Sequence, residues 1–160
     1  MTISVGDKMP SGKFTVMGTK GPEPLSTDDL FGGKKVVLFS VPGAFTPTCS
    51  AKHLPGYVQQ AEALRSKGVD EVACLAVNDV FVMSAWGKSA GADGKVLMLA
   101  DGNGEYAKAL GLELDASGFG MGKRSKRFSV IVDNGVVTQL NIEPAGEFGI
   151  SSAESALSQL

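Results

Sequence analysis

Apolar and polar positions along the chain separate into short strands and amphipathic helices. Lys35-Val36-Val37-Leu38-Phe39-Ser40-Val41 is β-branched and continuously apolar, which predicts a strand buried on both faces. Val72 to Val77 and Val96 to Ala100 predict two more strands, and Lys13 to Met17 a short one. Gly18 to Pro24 reads as a turn-rich loop. Tyr57, Ala61 and Leu64 recur at helical spacing, with Gly68 as the stop. Pro55 removes the hydrogen bond to residue 51, so a kink or late start is expected there. Ser26, with Asp29 three residues on, predicts a capped helical turn. Asn78 or Asp79 predicts the cap of a helix carrying Val82, Met83 and Trp86.

Asp101-Gly102-Asn103-Gly104 turns the chain into a helix that runs through Leu110 and ends at Gly111. Phe128 to Val132 and Val136 to Ile142 flank Asp133-Asn134-Gly135 and predict a β-hairpin. Ser151 to Leu160 predicts a closing helix. The alternation argues for parallel pairing with right-handed crossovers, and the late hairpin adds antiparallel strands. The expected fold is α/β: a mixed central sheet with helices on both faces. Neither an internal repeat nor a linker interrupts residues 1–160, which read as a single domain.

Composition narrows the setting. Apolar residues are 43% and charged residues 20%, ordinary for a soluble globular protein. A net charge of -2 gives no reason to expect nucleic acid. No apolar run approaches a membrane span. Two cysteines are too few for a disulfide framework and indicate a reducing compartment; with one histidine they are too few for a standard zinc site. No metal or cofactor is expected. Met1 to Asp7 has neither signal-peptide nor transit-peptide character, and the expected location is cytoplasmic.

The candidate chemistry lies in Pro42-Gly43-Ala44-Phe45-Thr46-Pro47-Thr48-Cys49. This stretch delivers a cysteine at a strand-to-helix turn, where free N–H groups and the helix dipole favour a thiolate. In sheets of this kind reactive groups collect at the carboxyl ends of strands. The plainer reading of Cys49 is a buried apolar cysteine, but a loop rich in Pro, Gly and Thr argues against it. Cys74 lies inside an apolar strand, and there the structural reading leads. His53, four residues after Cys49, could share its helical face; a Cys-His pair would point to hydrolase or transferase chemistry. Gly118-Phe119-Gly120-Met121-Gly122 matches no phosphate-binding fingerprint and reads as a mobile loop.

Pro42, Thr46 and Cys49 form P-x-x-x-T-x-x-C, and the chain resembles the peroxiredoxins at this motif. The longer string through Ser50, His53-Leu54-Pro55-Gly56, Ala73 to Asp79, Trp86-Gly87, Lys126 to Ser129 and Ser158-Gln159-Leu160 is similar to the peroxiredoxin-5 or type II branch. The resemblance implies a thioredoxin-like fold. It also implies reduction of hydrogen peroxide and alkyl hydroperoxides by Cys49, an antioxidant role in cell redox homeostasis.

Under that resemblance Cys49 attacks the peroxide and becomes a sulfenic acid. Thr46 would accept from the peroxide and donate to the thiolate or the departing oxygen. Pro42 would shield the thiolate. Arg127 would stabilise the thiolate and the polarised O–O bond. Without the resemblance, Arg127 is one member of the basic run Lys123-Arg124-Ser125-Lys126-Arg127, a solvated face; the other four are expected to remain so. Backbone N–H groups of Thr48 and Cys49 would hold peroxide oxygens, and Phe119 would line the entrance.

Some members of the branch resolve the sulfenic acid with a C-terminal cysteine. Gly146 to Ser152 contains none, with Ile150 and Ser151 at the corresponding place. Cys74 is the only other thiol, expected on the order of 10 Å below the rim, beyond the reach of a disulfide without local unfolding. A one-cysteine cycle with glutathione or glutaredoxin is therefore expected, with thioredoxin as the alternative reductant and Cys74 as a possible resolving residue. A homodimer is implied by the resemblance. The competing functional class is a peroxide sensor or thiol-binding module without rapid turnover.

Overall fold

The computed structural model describes residues 2–160; Met1, the first residue of the expected domain, lies outside them. In chain order the strands are β1 (Lys13–Gly18), β2 (Gly21–Ser26), β3 (Lys35–Ser40), β4 (Glu71–Ala76), β5 (Leu97–Ala100), β6 (Glu113–Asp115), β7 (Lys123–Ser125), β8 (Phe128–Asp133) and β9 (Val136–Ile142). The α-helices are α1 (Thr27–Phe31), α2 (Leu54–Ser66), α3 (Val80–Ser89), α4 (Glu105–Leu110) and α5 (Ala153–Ser158). Seven strands form one sheet in the order β2-β1-β5-β4-β3-β8-β9. β3, β4 and β5 are parallel, and the other pairings are antiparallel. The expected mixed α/β sheet with a late hairpin is present.

Alternation along the central strands assigns each side chain to a layer. Val37, Phe39, Val72, Cys74 and Ala76 face a core built with Leu54, Tyr57 and Leu64 of α2, Met83 and Trp86 of α3, and Ala153 and Ala156 of α5. Val36, Leu38, Ala73 and Leu75 face the opposite core, with Leu30 and Phe31 of α1 and Tyr106 and Leu110 of α4. Helices therefore cover both faces, which explains why β3 is apolar from Val36 to Phe39 and β4 from Val72 to Ala76.

Local signals act as the sequence predicts at several ends. Ser26 Oγ accepts from Asp29 N, and Asp79 Oδ1 accepts from Val82 N. Asn134 and Gly135 both have positive φ, 48° and 81°, as a two-residue hairpin turn of this hand requires.

Two segments depart from the sequence reading. Gly18 to Pro24, expected as loop, instead holds most of an edge strand, β2, paired with β1 through Met17↔Pro22 and Thr15↔Pro24. The ladder is unbroken, so the N–H groups that Pro22 and Pro24 lack fall on the open side, where a strand tolerates proline. The basic run is the second departure. Lys123–Ser125 pairs with Glu113–Asp115 in a separate two-stranded sheet, with Ser125 buried and Arg124 half-buried. Only Lys123 and Lys126 of the four expected solvated residues are exposed.

At the opposite edge the N-terminal segment lies along the start of β9. Gly6 N donates to Val137 O, and Val137 N to Asp7 O. Among the described residues no helix is long and apolar enough to cross a membrane.

Candidate active site

The loop that follows β3 is held from two sides. Ala44 N donates to Asn78 Oδ1 at 2.9 Å, so Asn78 anchors the loop while Asp79 caps α3. Arg124 donates from Nε to Met121 O at 2.9 Å and from Nη1 to Pro42 O at 3.4 Å. Gly43 is closely packed: a Cβ there would meet Arg124 Nη1 at 3.0 Å and the Thr46 methyl at 3.2 Å, so these side chains would have to shift. Phe45 is exposed at φ 62°, a left-handed conformation that a bulky residue adopts only under constraint.

This loop feeds a helix whose first residue is Pro47, where the missing N–H costs nothing. The first intrahelical bond runs from Ser50 N to Thr46 O at 2.9 Å. The N–H groups of Thr48 and Cys49 precede that bond, in the first turn where N–H groups lack an intrahelical acceptor. Cys49 to His53 then form a wider π-helical turn, and the regular α-helix resumes at Leu54 with Pro55 at its start. The interruption expected near Pro55 takes this form, beginning at Cys49 itself.

Cys49 is fully buried, yet its surroundings are not those of an inert core thiol. Arg127 Nη2 lies 3.0 Å from Cys49 Sγ. Arg127 enters from the start of β8, beside β3 in the sheet, so sheet order brings residues 78 positions apart into contact. A guanidinium at that distance stabilises a thiolate and offers N–H donors to a reacting oxygen. Thr46 Oγ1 donates to Gly43 O at 2.7 Å. Its hydrogen is thereby committed, and its lone pairs remain free to accept. The double role expected of Thr46 narrows to acceptance in this state.

The site opens into a cavity of about 640 Å³ lined by Pro42, Thr48, Leu114, Phe119, Arg127 and the segment from Glu143 to Glu147, among others. Phe119 is 86% exposed, at the tip of a short 3-10 turn, Ser117–Phe119. Pro42, Thr48, Phe119 and Arg127 thus share one cavity.

Cys74 faces the same core layer as Cys49, and both are free thiols. It is fully buried, and burial pushes its thiol well above the ordinary range, with the nearby Cys49 adding to the rise and Arg127 opposing it. In place, Cys74 is a poor nucleophile.

His53, weighed as a partner of Cys49, is bonded instead to Arg127 and Ser151. Its Nδ1 accepts from Arg127 Nη1 at 2.8 Å, and its Nε2–H donates to the carbonyl of Ser151 at 3.0 Å. Burial, reinforced by the charge of Arg127, lowers the imidazole to about 3, so it is neutral and in this tautomer. The Cys-His pair does not form: the ring holds the arginine that holds the thiol. Tyr57 OH also donates to Ser151 O, at 2.9 Å, and the Tyr57 ring stacks on Phe39 at 3.9 Å. Phe148 closes the site over His53 at 4.9 Å and Arg127 at 5.8 Å. The helical spacing of His53 was a visible signal; Phe148 and Ser151 carried none.

Comparison with known proteins agrees with this geometry. The redoxin family matches residues 4–157. Peroxiredoxin-2B of Arabidopsis thaliana is 50% identical over 99% of this chain and 98% of its own length. A chloroplastic peroxiredoxin-2E from the same plant is 49% identical, over 99% of this chain and 70% of its own. The solved structure of reduced Prx3 from Vibrio vulnificus in complex with hydrogen peroxide superposes with a TM-score of 0.95 at 50% identity, covering 99% of both chains. A buried thiol facing an arginine at the head of a helix, on a sheet shared with these relatives, places the chain in the redoxin family as a type II peroxiredoxin, a thiol peroxidase.

Proposed function

We propose that this protein is a one-cysteine peroxidase that reduces hydrogen peroxide and alkyl hydroperoxides through Cys49 and is recycled by glutathione or a glutaredoxin. The observation that carries the reading is the 3.0 Å contact between Arg127 Nη2 and Cys49 Sγ. In the first half-reaction the thiolate attacks the terminal peroxide oxygen. An S–O bond forms as the O–O bond breaks, and the departing oxygen leaves with a proton as water or alcohol. Arg127 and the N–H groups of Thr48 and Cys49 stabilise the charge moving onto oxygen. Thr46 accepts from the peroxide O–H, and Pro42 and Phe119 wall the approach.

In the second half-reaction an external thiol attacks the sulfenic sulfur, releasing water and leaving a mixed disulfide. A second thiol then restores Cys49 and carries away the disulfide. Two observations support an external thiol. Gly146 to Ser152 contains no cysteine, and Cys74 is fully buried in the core. Residues 1–160 act as one domain, in the cytoplasm, and pair as a homodimer; exposed Phe45, Phe81, Phe119 and Ile150 are apolar surface that a second copy could cover.

The test is multiple-turnover peroxide consumption with glutathione and glutaredoxin, and separately with thioredoxin, for wild type, Cys49→Ser and Cys74→Ser. Turnover with the first pair that survives Cys74→Ser and vanishes in Cys49→Ser is expected. A single oxidation without recycling by either system would favour the sensor reading instead.

A further inference from the structure

Glu143 follows directly on β9 and is 7% exposed. Among the described residues no lysine, arginine or histidine forms an ion pair with it. A buried carboxylate without a counter-ion is costly unless hydrogen bonds satisfy it. Here one oxygen, Oε2, accepts from Gly149 N at 2.7 Å, Ser151 N at 2.8 Å and Ser151 Oγ at 2.7 Å. Burial alone would raise this carboxyl, but donors from Gly149, Ser151 and Ile150 outweigh it and hold it below the ordinary range.

The partners of those partners lead back to the thiol. Glu143 N donates to Arg127 O at 2.9 Å. Ser151, held by the Glu143 carboxylate, presents its carbonyl to His53 Nε2–H. His53 then has only Nδ1 left as an acceptor, and Arg127 Nη1 donates to it. A closed ring of hydrogen bonds results, from the Arg127 backbone through Glu143, Ser151 and His53 to the Arg127 guanidinium.

We propose that Glu143 is a positioning residue for peroxide reduction: through Ser151 and His53 its carboxylate fixes the guanidinium of Arg127 against Cys49. The proposal rests on the reading that Cys49 reduces peroxide with the help of Arg127. Its content is separable from a simple charge effect because the two have opposite signs. A carboxylate acting through space repels a thiolate, so removing it would favour the thiolate. A carboxylate acting as a positioner has the reverse effect, because its loss frees Arg127 and disfavours the thiolate.

The experiment compares Glu143→Ala, Glu143→Gln and Ser151→Ala, each with Arg127 intact and in an Arg127→Ala background. Two quantities are read at Cys49 by mass spectrometry: the pH midpoint of alkylation, and the rate of sulfenic acid formation with one equivalent of hydrogen peroxide. Glu143→Ala should move the midpoint up and slow oxidation roughly tenfold. Glu143→Gln, which keeps an acceptor oxygen but no charge, should recover part of that loss, and Ser151→Ala should change both readings in the same direction by less. In the Arg127→Ala background all three effects should vanish.

A midpoint that falls or stays put, or an effect that persists without Arg127, overturns the proposal. If Glu143→Ala and Glu143→Gln fail to fold, Ser151→Ala decides by the same criteria. Failure of the underlying reading has a different signature: wild type would form no sulfenic acid at Cys49, whatever stands at position 143.

Discussion

Arg127 bridges His53 and Cys49, its Nη1 2.8 Å from the imidazole Nδ1 and its Nη2 3.0 Å from the thiol sulfur. The two nitrogens of one rigid fork are thus both committed, and rotation of the guanidinium would break both contacts together. Arg127→Ala should raise the pH midpoint of Cys49 alkylation and slow sulfenic acid formation on the order of 10²- to 10³-fold. Arg127→Lys should recover little, because a single ammonium cannot reach both partners in this geometry. An alkylation profile unchanged in Arg127→Ala would remove the arginine from thiolate stabilisation.

His53 predicts a pH dependence of stability. Its folded value, lowered to about 3, lies below the unfolded value of 6.5. Between those limits the unfolded chain binds a proton that the folded chain does not, so stability rises with pH. The contribution is complete above about pH 6.5 and is lost as pH falls towards 3, by about 1.4 kcal/mol per pH unit inside the window. Urea unfolding at pH 7.5 and pH 5 should therefore separate wild type from His53→Gln. The variant should lose less stability between the two pH values, and equal losses would contradict a neutral buried imidazole.

Much of this arrangement was legible in the chain. β3 and β4 were visible because burial on both faces demands an apolar run, Val36 to Phe39 and Val72 to Ala76, and Ser26, Asp79 and Asn134-Gly135 mark element ends by local chemistry. β2 was hidden by Pro22 and Pro24, whose turn preference is overridden once their missing donors face outward. The motif named Pro42, Thr46 and Cys49. It could not reveal that Arg124 braces the loop or that His53 meets Arg127. The first depends on a two-stranded sheet of three-residue strands, and the second on a widened turn that changes which way residue 53 points. Glu143 left no local mark, since its role exists only when residues 127, 143 and 151 are brought together.

Thr46 Oγ1 donates to the carbonyl of Gly43, which predicts a sharp dependence on the hydroxyl. Thr46→Val keeps the shape but loses the acceptor, and should slow peroxide reduction on the order of 10²-fold. Thr46→Ser should keep most of the rate. Stopped-flow oxidation with hydrogen peroxide distinguishes them, and equal rates in both variants would deny the hydroxyl any part.

Cys74→Ser buries a hydroxyl where a thiol packs between apolar neighbours, and should cost about 1–3 kcal/mol of stability. Steady-state turnover with glutathione and glutaredoxin should be retained. Loss of that turnover in a folded variant would mean that Cys74 takes part in the cycle.

Trp86, the sole tryptophan, donates from Nε1 to Ser50 Oγ at 3.0 Å, one residue beyond the reactive thiol. Its emission should therefore report on the turn from Cys49 to His53. One equivalent of hydrogen peroxide should change the emission of wild type and leave Cys49→Ser unchanged; identical traces would show that oxidation does not disturb the turn.

The two ends of the seven-stranded sheet bear on how this protein survives its own chemistry. Exposed strand edges are templates on which sheets of separate molecules join and aggregate. On one edge Pro22 and Pro24 have no N–H to offer an incoming strand, and on the other Gly6 to Met9 already occupy the start of β9. These features lie at the margins of the sheet, away from the site, so they blunt edge pairing whether or not the thiol is oxidised.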